Sequence, residues 1–411
     1  MKKFMLFYLI IYFVQGIVTN LHHPLMPYYV EAIGVPNFMF GFFFSFMNLG
    51  MMFGGPFWGN LADHNKKKIS LIIGILIYGL MQILFGLGHV FDMWTLSAFR
   101  LISGFGMASA LTILTGEMII TSDKDKRAKN IAFGAAAVGL GGAIGQFLGG
   151  FIHTNSFFIK AFRTDIFFNA FLLQGISVGF FAVLIAIWFK PKKTIVDPNK
   201  KRVQFWEGFK EVRNIKPELL YFLVALTLIT IASTNVEKYL DVYFKDLGFL
   251  AKELGNFKMI AGVVSLLSGI ILVPLFMKIK HRLKLISVFQ IISAVLIFTV
   301  FRSSSSLFLI LLYTMYMAYI AIKAIFTPLE QDHISKFSGN HNVATTLGIR
   351  QSFYSIGTII GPIFGAFLYD YSPRLLFDTS VIFFLISLVL IFISNHYRKK
   401  DFIQNSINSN I

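Results

Sequence analysis

Long apolar windows without charge constrain this chain more than any other feature of its sequence. The windows 71–87, 166–189 and 381–393 contain no charged residue. A helix needs roughly 20 apolar residues to cross a bilayer. Because lipid offers the backbone no hydrogen-bond partner, a spanning segment must be a helix or part of a closed barrel, and these runs lack the alternation of barrel strands. The sequence therefore predicts an α-helical membrane protein.

Twelve spans can be placed along the chain. They lie near residues 5–31, 37–62, 69–88, 92–121, 128–153, 165–189, 217–244, 254–277, 285–301, 305–330, 343–369 and 376–395. After the sixth span the sequence becomes polar and basic, which predicts two six-helix halves, residues 1–189 and 217–395, joined by a cytoplasmic linker at 190–216 and followed by a cytoplasmic tail at 396–411. Within the linker, residues 205–212 fit either a short interfacial helix or a solvated segment.

The distribution of basic residues predicts the orientation. Of the 37 Lys and Arg residues, 26 lie in loops on one side, seven lie on the other and four lie inside spans. Cytoplasmic loops carry the excess of positive charge, so both termini are predicted in the cytoplasm, most simply of a bacterial plasma membrane. This explains the net charge of +17 without a nucleic-acid partner. A cleaved signal peptide at residues 1–14 is the rival interpretation, but no small-residue cleavage pattern follows it.

Two glycine-rich elements indicate an internal repeat. Small residues four positions apart let helices approach closely in lipid, which alone would explain either element as packing. The elements lie 216 residues apart, at half the chain length, and therefore predict duplicated, pseudo-symmetric halves. Their members are Gly141, Gly145, Gly149 and Gly150 in span five, and Gly357, Gly361, Pro362 and Gly365 in span eleven.

The loop after span two carries a family signature. Residues 59–68 read G-N-L-A-D-H-N-K-K-K, which resembles the G-x-L-x-D-R-x-G-R-K signature of the major facilitator superfamily. Gly59, Asp63, Lys67 and Lys68 fit the signature, whereas His64 stands where Arg is usual. The resemblance implies the major facilitator fold and a latch, formed by Asp63 and its basic neighbours, that holds the halves together on the cytoplasmic side in the outward-open state. A purely topogenic role for the three lysines is the alternative.

Two further elements point to one branch of this superfamily. Arg100, Gly104 and Gly106 of span four are similar to the R-x-x-x-G-x-G element of proton-coupled members. The glycine-rich element of span five resembles the antiporter signature, with Gln146 in place of the usual Pro. The chain thus looks most like the drug:proton antiporter (multidrug efflux) branch. This resemblance implies a secondary active transporter that exports a small lipophilic or amphipathic compound in exchange for protons by alternating access.

Ionisable residues inside the spans are the default candidates for proton coupling. Glu237 and Asp241 lie four residues apart and share one face of span seven. Lys238 could pair with Asp241, which makes Glu237 the better proton carrier, with Arg100 as its electrostatic counterpart. Histidine can shuttle protons, although interfacial hydrogen bonding is an equal alternative for the pair in span one. The predicted proton-coupling set is Glu237, Asp241, Arg100, His22 and His23.

Polar and aromatic residues near these groups form the predicted substrate site. Lys323 could anchor an anionic substrate or pair with Glu330, which lies seven residues further along the same face. The tyrosines of span ten could form a binding platform, although their spacing is more typical of packing. Asn20, like the two histidines, is a candidate neighbour of Arg100. The predicted substrate-binding set is Asn20, Asn235, Tyr239, Tyr316, Tyr319 and Lys323.

Two rival functions remain open. The basic residues inside the spans would also suit a transporter for an anionic or sugar-like metabolite, and a membrane receptor or scaffold could keep the fold without transport. Enzymatic chemistry is disfavoured because the sequence has no catalytic or nucleotide-binding motif. The lack of cysteine excludes disulfides and thiolate metal sites. We expect no cofactor and no metal, and as partners a small-molecule substrate, protons and the bilayer, with the chain acting as a monomer.

Overall fold

The computed structural model describes residues 3–122, 127–161, 166–192, 215–279, 281–335 and 343–408. Within these ranges the regular structure is helical, and twelve helices are long and apolar enough to cross a membrane. The prediction of an all-α protein with twelve spans is therefore confirmed. In chain order, spans 1 to 12 are Lys3–Asn20 with Met26–Ala32, Met39–Leu61, Lys67–Phe85, Met93–Thr121, Arg127–Thr154, Ile166–Trp188, Pro217–Asp246, Ala251–Leu267 with Val273–Phe276, Arg282–Arg302, Ser305–Leu311 with Met317–Ser335, Val343–Tyr371 and Pro373–Asn408.

Span 1 is broken near its C-terminal end. Its first helix ends at Asn20, a 3-10 turn covers His23–Leu25, and an α-helix resumes over Met26–Ala32. The cause is Pro24 together with Pro27, because proline has no N–H to donate to the preceding turn. The break places two histidines, His22 and His23, where the helix changes direction.

Span 4 begins at a side-chain cap. Asp92 has an extended backbone, and its carboxylate accepts hydrogen bonds from the backbone N–H groups of Trp94 at 2.9 Å and Thr95 at 3.1 Å. These N–H groups have no partner inside the helix, so the carboxylate stabilises its first turn. The hydroxyl and the backbone N–H of Thr95 hold the pKa of Asp92 below its usual value.

The chain divides into two compact units. Unit 1 contains Met1–Val203 and Asp241–Leu266, and unit 2 contains Gln204–Leu240 and Leu267–Ile411. The units differ from the predicted halves in residues 241–266, the end of span 7 and the beginning of span 8, which pack with unit 1. The interfacial helix proposed for residues 205–212 lies outside the described residues.

The glycines of span 5 bring its backbone against that of span 1. A Cβ atom placed on Gly145 would lie 2.3 Å from the carbonyl oxygen of Ile17, and one on Gly149 would lie 1.8 Å from that of Leu21. No side chain fits at such distances. In unit 2, a Cβ atom on Gly361 would lie 3.4 Å from the carbonyl oxygen of Ile231 in span 7. The two glycine elements thus pack equivalent pairs of helices, as the repeat predicts.

We expect Gly145→Val to destabilise the protein by about 1–3 kcal/mol, because the side chain would push span 5 away from span 1. Thermal unfolding of the purified protein in detergent should show a lower melting temperature. Gly139→Val on the same helix is the matched control, since a Cβ atom there meets nothing within 4 Å. Equal losses in the two variants would contradict the close-packing account.

Candidate functional site

Unit 2 contains a cleft between spans 7, 9, 10, 11 and 12. Its space amounts to about 490 Å³, the open mouth included. Aliphatic and aromatic side chains form much of the wall, and its polar residues come from four spans. They are Thr230 and Ser233 of span 7, Gln290 and Ser293 of span 9, Tyr319, Lys323 and Thr327 of span 10, and Arg350 and Tyr354 of span 11. The combination of apolar walls and a few polar groups suits a small organic ligand.

An ion pair between spans 7 and 10 lies beside this cleft. The Lys323 ammonium contacts the Glu237 carboxylate, with 35% and 29% of the two side chains exposed. The predicted pairing of Lys323 with Glu330 is wrong. Spacing along one helix could only suggest a partner from span 10 itself, whereas the structure brings the acid from span 7.

A second, fully buried pair joins spans 10 and 11. The Glu330 carboxylate binds the Arg350 guanidinium, and their side chains are 0% and 7% exposed. Arg350 also stacks over the ring of Tyr354 at 4.9 Å. Arg350 and Lys323 both line the cleft, while the acids that neutralise them do not. Within the described residues, the cleft wall therefore carries two cations and no carboxylate.

Three polar atoms on residues of the cleft wall have no hydrogen-bond partner among the described residues. They are the hydroxyl of Tyr319 and the amide oxygen of Gln290, on residues that are 2% exposed, and Nε of Arg350, on a residue that is 6% exposed. Buried polar atoms are normally paired, so these atoms are available to a ligand. Tyr319 was in the predicted substrate set. Gln290 was missed, although a lone glutamine in an apolar window was the signal.

The other predicted residues of unit 2 pack helices together. Tyr239 donates a 2.6 Å hydrogen bond to the carbonyl oxygen of Pro362 and stacks on Tyr369. Asn235 sits against the same helix, since a Cβ atom on Gly365 would lie 2.6 Å from its amide oxygen. Tyr316 is 1% exposed and packs on the ring of Tyr319, outside the cleft wall.

The predicted acid Asp241 belongs to a different cluster. Its carboxylate lies 2.5 Å from Lys258, which lies inside span 8. Nearby, Lys245 lies 3.0 Å from Glu31 of span 1. Gly150 packs against the chain at the start of span 8, where its Cβ atom would lie 2.4 Å from the carbonyl oxygen of Ala251. These contacts tie spans 1 and 5 to residues 241–266 within unit 1.

Arg100 forms a buried polar centre in unit 1. Both terminal nitrogens of its guanidinium lie 3.3 Å from His22 Nε2, and one lies 3.3 Å from the amide oxygen of Gln82. Its charge also lies 4.6 Å from the centre of the Phe85 ring. The predicted contact with His22 is confirmed. Among the described residues no carboxylate pairs with Arg100, and because a guanidinium only donates, His22 must accept through Nε2.

The two other residues suggested as neighbours of Arg100 bind elsewhere. Asn20 donates to the carbonyl oxygen of Gly16 in its own helix at 2.9 Å and lies beside Gly142 of span 5. His23 stacks on Phe44. Only one of the three candidates from span 1 therefore reaches the guanidinium, since a broken helix turns successive side chains in different directions.

The signature loop leads into a buried cluster at the start of span 3. Glu117 is fully buried and accepts hydrogen bonds from Lys67 at 2.5 Å, the backbone N–H of Lys192 at 3.0 Å and the Tyr8 hydroxyl at 3.3 Å. Lys67 also donates to the carbonyl oxygen of Lys192 at 2.8 Å. This motif lysine thus fixes the chain that leaves span 6. The side chain of Asp63 lies outside the described residues.

The remaining motif positions are near this cluster. Lys68 is half-buried, and a Cβ atom on Gly59 would lie 3.4 Å from a methyl group of Thr112. Unit 2 has a counterpart at the same place in the fold, where Arg282 at the start of span 9 binds Asp332 of span 10 at 3.0 Å. Sequence reasoning missed this second pair because the loop before span 9 lacks the glycine and aspartate of the signature.

The family model described as Major Facilitator Superfamily matches residues 8–340 and, in a second match, residues 282–406. The chain belongs to the major facilitator superfamily. Members of this superfamily are membrane transporters, and this chain is accordingly a multi-pass membrane transporter and not an enzyme.

Relatives within the superfamily include bacterial resistance proteins. The quinolone resistance protein NorA of Staphylococcus aureus (strain MSSA476) is 25% identical over 388 residues, covering 92% of each chain. Multidrug resistance protein 2 of Bacillus subtilis (strain 168) is 24% identical over 367 residues, covering 87% of this chain and 86% of the relative. The predicted likeness to the drug-efflux branch is confirmed.

Solved structures of the superfamily share the fold. A bacterial homologue of the human lysosomal transporter Spinster, inward-facing and unoccupied, has a TM-score of 0.74 at 15% identity, covering 98% of this chain and 99% of its own. A D-xylose–proton symporter has a TM-score of 0.71 at 13% identity, covering 95% of this chain and 96% of the symporter chain. At such identities the likeness concerns the fold alone.

We expect Glu330→Gln to cost about 3–5 kcal/mol of stability, because it leaves the Arg350 charge buried without its partner. Replacing both residues by apolar ones, as in Glu330→Leu with Arg350→Met, should recover most of the loss. The melting temperature in detergent reports both effects. Glu237→Gln is the comparison variant. It breaks the partly exposed Glu237–Lys323 pair, and its loss of stability should be far smaller. A larger loss in Glu237→Gln than in Glu330→Gln would contradict this ranking.

Proposed function

We propose that this chain exports a small lipophilic or amphipathic compound from a bacterial cell in exchange for protons, by alternating access. The observation that carries the proposal is the Glu237–Lys323 ion pair beside the unit 2 cleft. The names of the two resistance proteins, each about a quarter identical over most of the chain, support a role in efflux.

The ion pair supplies a group that can change its charge during transport. Glu237 keeps 29% of its side chain exposed, so a proton can reach it, and protonation removes its attraction for Lys323. Glu237 can therefore exist in two protonation states, and only the charged state attracts Lys323. A bilayer makes an unpaired charge costly, so each protonation state favours a different arrangement of spans 7 and 10.

Competition at Glu237 would produce antiport. A substrate whose positively charged or hydrogen-donating group binds the Glu237 carboxylate is released when a proton takes its place. Proton and substrate then cannot occupy the site together, which is the requirement for exchange. The energy suffices, since one elementary charge crossing about 100 mV is worth roughly 2.3 kcal/mol, equivalent to a gradient of about 50-fold.

A second candidate function is favoured by the two cations on the cleft wall. Lys323 and Arg350 face the cleft and no lining residue is acidic, which suits an anionic substrate. For such a substrate, binding would promote the uptake of a proton rather than its release. An anion that binds Lys323 displaces Glu237, and the freed carboxylate takes up a proton, so anion and proton would travel together. The pH dependence of substrate affinity therefore separates the two candidates.

We expect Glu237→Gln to abolish transport driven by a pH gradient in proteoliposomes, because the amide cannot bind the coupling proton. Exchange of labelled for unlabelled substrate without a gradient should persist. Asp246→Asn, which changes an exposed acid at the end of the same span, is the control and should transport normally. Undiminished proton-driven transport in Glu237→Gln would rule out this carboxylate.

Thermal-shift screening of the wild type selects the compounds for this assay. Protection by lipophilic cations that weakens as pH falls would support antiport. Protection by organic anions that strengthens as pH falls would replace it by the second candidate. Ligands that protect but never move in vesicles would instead support a receptor or scaffold.

The proposed membrane orientation can be tested cleanly because the chain contains no cysteine. We expect a single cysteine at Val90, which is 70% exposed between spans 3 and 4, to react with an impermeant maleimide on intact cells. A cysteine at Lys190, exposed after span 6, should react only after permeabilisation. The reverse pattern would place the termini outside the cell.

A further inference from the structure

A row of buried polar side chains runs along one face of span 1 through the interior of unit 1. The row consists of Tyr8, Tyr12, Gln15, Thr19 and His22, and each residue is at most 8% exposed. The alternating steps of four and three keep the first four on one face of the helix Lys3–Asn20, and the Gln174 amide, 3.3 Å from the Thr19 carbonyl oxygen and 2.9 Å from His22 Nδ1, connects His22 to them beyond the helix end. Burying so many polar groups inside a membrane span is costly, so such groups mark functional paths by default.

Hydrogen bonds anchor the two ends of this polar row. At the cytoplasmic end Tyr8 donates to Glu117, and Tyr12 donates to Thr115 at 3.2 Å. At the other end His22 binds Arg100 through Nε2, while its Nδ1 lies 2.9 Å from the amide of Gln174. The row therefore connects two ionisable centres, the Arg100–His22 pair and the Glu117–Lys67 pair.

Tyr78 extends the upper part of the row. Its hydroxyl lies 3.2 Å from the Gln174 amide and donates to the backbone carbonyl oxygen of Thr19 at 3.0 Å. The Thr19 hydroxyl in turn donates to the carbonyl oxygen of Gln15 at 2.8 Å. These contacts bring polar groups down to the level of Gln15, but they end on backbone carbonyl oxygens, which accept hydrogen bonds without passing a proton on, so a proton path here needs water.

In the middle of the row, polar side-chain atoms have no hydrogen-bond partner among the described residues. Neither amide atom of Gln15 has a hydrogen-bond partner among the described residues, and neither does the hydroxyl of Ser109 in span 4. Both side chains are fully buried. A buried amide and a buried hydroxyl need partners, and water is the molecule that commonly supplies them in a protein interior.

Gln15 and Ser109 lie at the same level of unit 1. Contacts of Tyr8 with Glu117 and of His22 with Arg100 set spans 1 and 4 antiparallel, which places Gln15 opposite the turn that contains Ser109. Span 3 agrees with this register. Gly74, which lies level with Gln15 between Lys67 and Tyr78, leaves room for the Ser109 hydroxyl, since a Cβ atom there would lie 2.1 Å from it.

The repeated fold does not require this polar row. Ile17 meets Gly145 as Ile231 meets Gly361, so positions of span 7 lie 214 residues after their equivalents in span 1. The equivalents of Tyr8, Tyr12 and Gln15 are therefore the buried apolar residues Phe222, Leu226 and Ile229. In unit 2 these three positions are apolar, and Leu226 and Ile229 line the cleft. The fold therefore does not depend on polar groups at these positions.

We propose that this row is a proton path through unit 1, in which water held by Gln15 and Ser109 passes protons between the His22 imidazole and the Glu117 carboxylate. A proton that binds His22 Nε2 takes the place of the hydrogen bond from Arg100, and the proton on Nδ1 then leaves to the water. From there, each O–H bond that breaks on one water or hydroxyl is matched by one that forms on the next oxygen, until the Glu117 carboxylate takes up the proton and later releases it, so every group ends as it began. The positive charge of Arg100 destabilises a protonated His22, so His22 is better suited to pass protons on than to retain them. The path rests on the proposed proton coupling.

The test compares proton-driven transport with substrate exchange in proteoliposomes. Gln15→Met keeps the length of the side chain but cannot hold water. We expect it to slow proton-driven transport about tenfold, less than the 10²–10⁴-fold typical of a group that itself transfers the proton, because neighbouring hydroxyls partly substitute. Exchange without a gradient should stay within about twofold of wild type, since conformational cycling is intact.

Three further variants sharpen this test. Gln15→Glu should restore the rate, because a carboxyl group holds water and passes protons. Tyr12→Phe keeps its ring but removes the next hydroxyl of the row, and should reproduce the loss if Gln15→Met folds poorly. Ser177→Ala removes the hydroxyl of a half-buried serine of span 6, outside the row, that donates to the Leu173 carbonyl oxygen of its own helix; it is the control and should behave as wild type.

The outcomes separate the path from the proposed function. Wild-type rates of proton-driven transport in both Gln15→Met and Tyr12→Phe would overturn the path and leave antiport standing. Equal losses in driven transport and in exchange would show a structural role and overturn it as well. Absence of proton-driven transport in the wild type would overturn the proposed antiport and the path together.

Discussion

A charge inside a bilayer must find its partner within the protein, and the arrangement of this chain follows from that requirement. Among the described residues, the pairs that meet it include Lys67 with Glu117, Lys258 with Asp241, Lys323 with Glu237, and Arg350 with Glu330. Each pair joins two different spans, so ionic contacts complement the close glycine packing that lipid also permits. The pairs differ in exposure. The pair beside the cleft is about one-third exposed, whereas the Glu330–Arg350 pair is buried between its helices.

The sequence predicted features that depend on local chemistry. The twelve spans follow from apolar length, the break in span 1 from its two prolines, and the helix pairs from glycine spacing. The contact between Arg100 and His22 was also anticipated, because both lie at a similar depth of antiparallel spans, although they are 78 positions apart. The other features need only a residue and its neighbours along the chain.

Ionic partners could not be predicted in the same way. Seven residues separate Lys323 from Glu330 on one face, yet Lys323 pairs with Glu237, 86 positions away. Glu117 binds the backbone of Lys192, which no side-chain pattern indicates. Helix rotation and tilt decide such contacts, and they depend on the packing of all neighbouring spans. The cleft residue Gln290 was missed for the same reason, since its apolar window did not show which face turns inward.

Arg100 stands apart from the other buried cations. The described residues give it an imidazole, an amide oxygen and an aromatic face, all of them uncharged acceptors. Unit 1 therefore carries a positive charge at depth that no local carboxylate cancels. Such a charge feels the membrane potential directly, at roughly 2.3 kcal/mol per 100 mV for a full crossing. Any rearrangement that shifts Arg100 along the membrane normal is then voltage-dependent, so the potential biases the resting conformation before a proton or substrate binds.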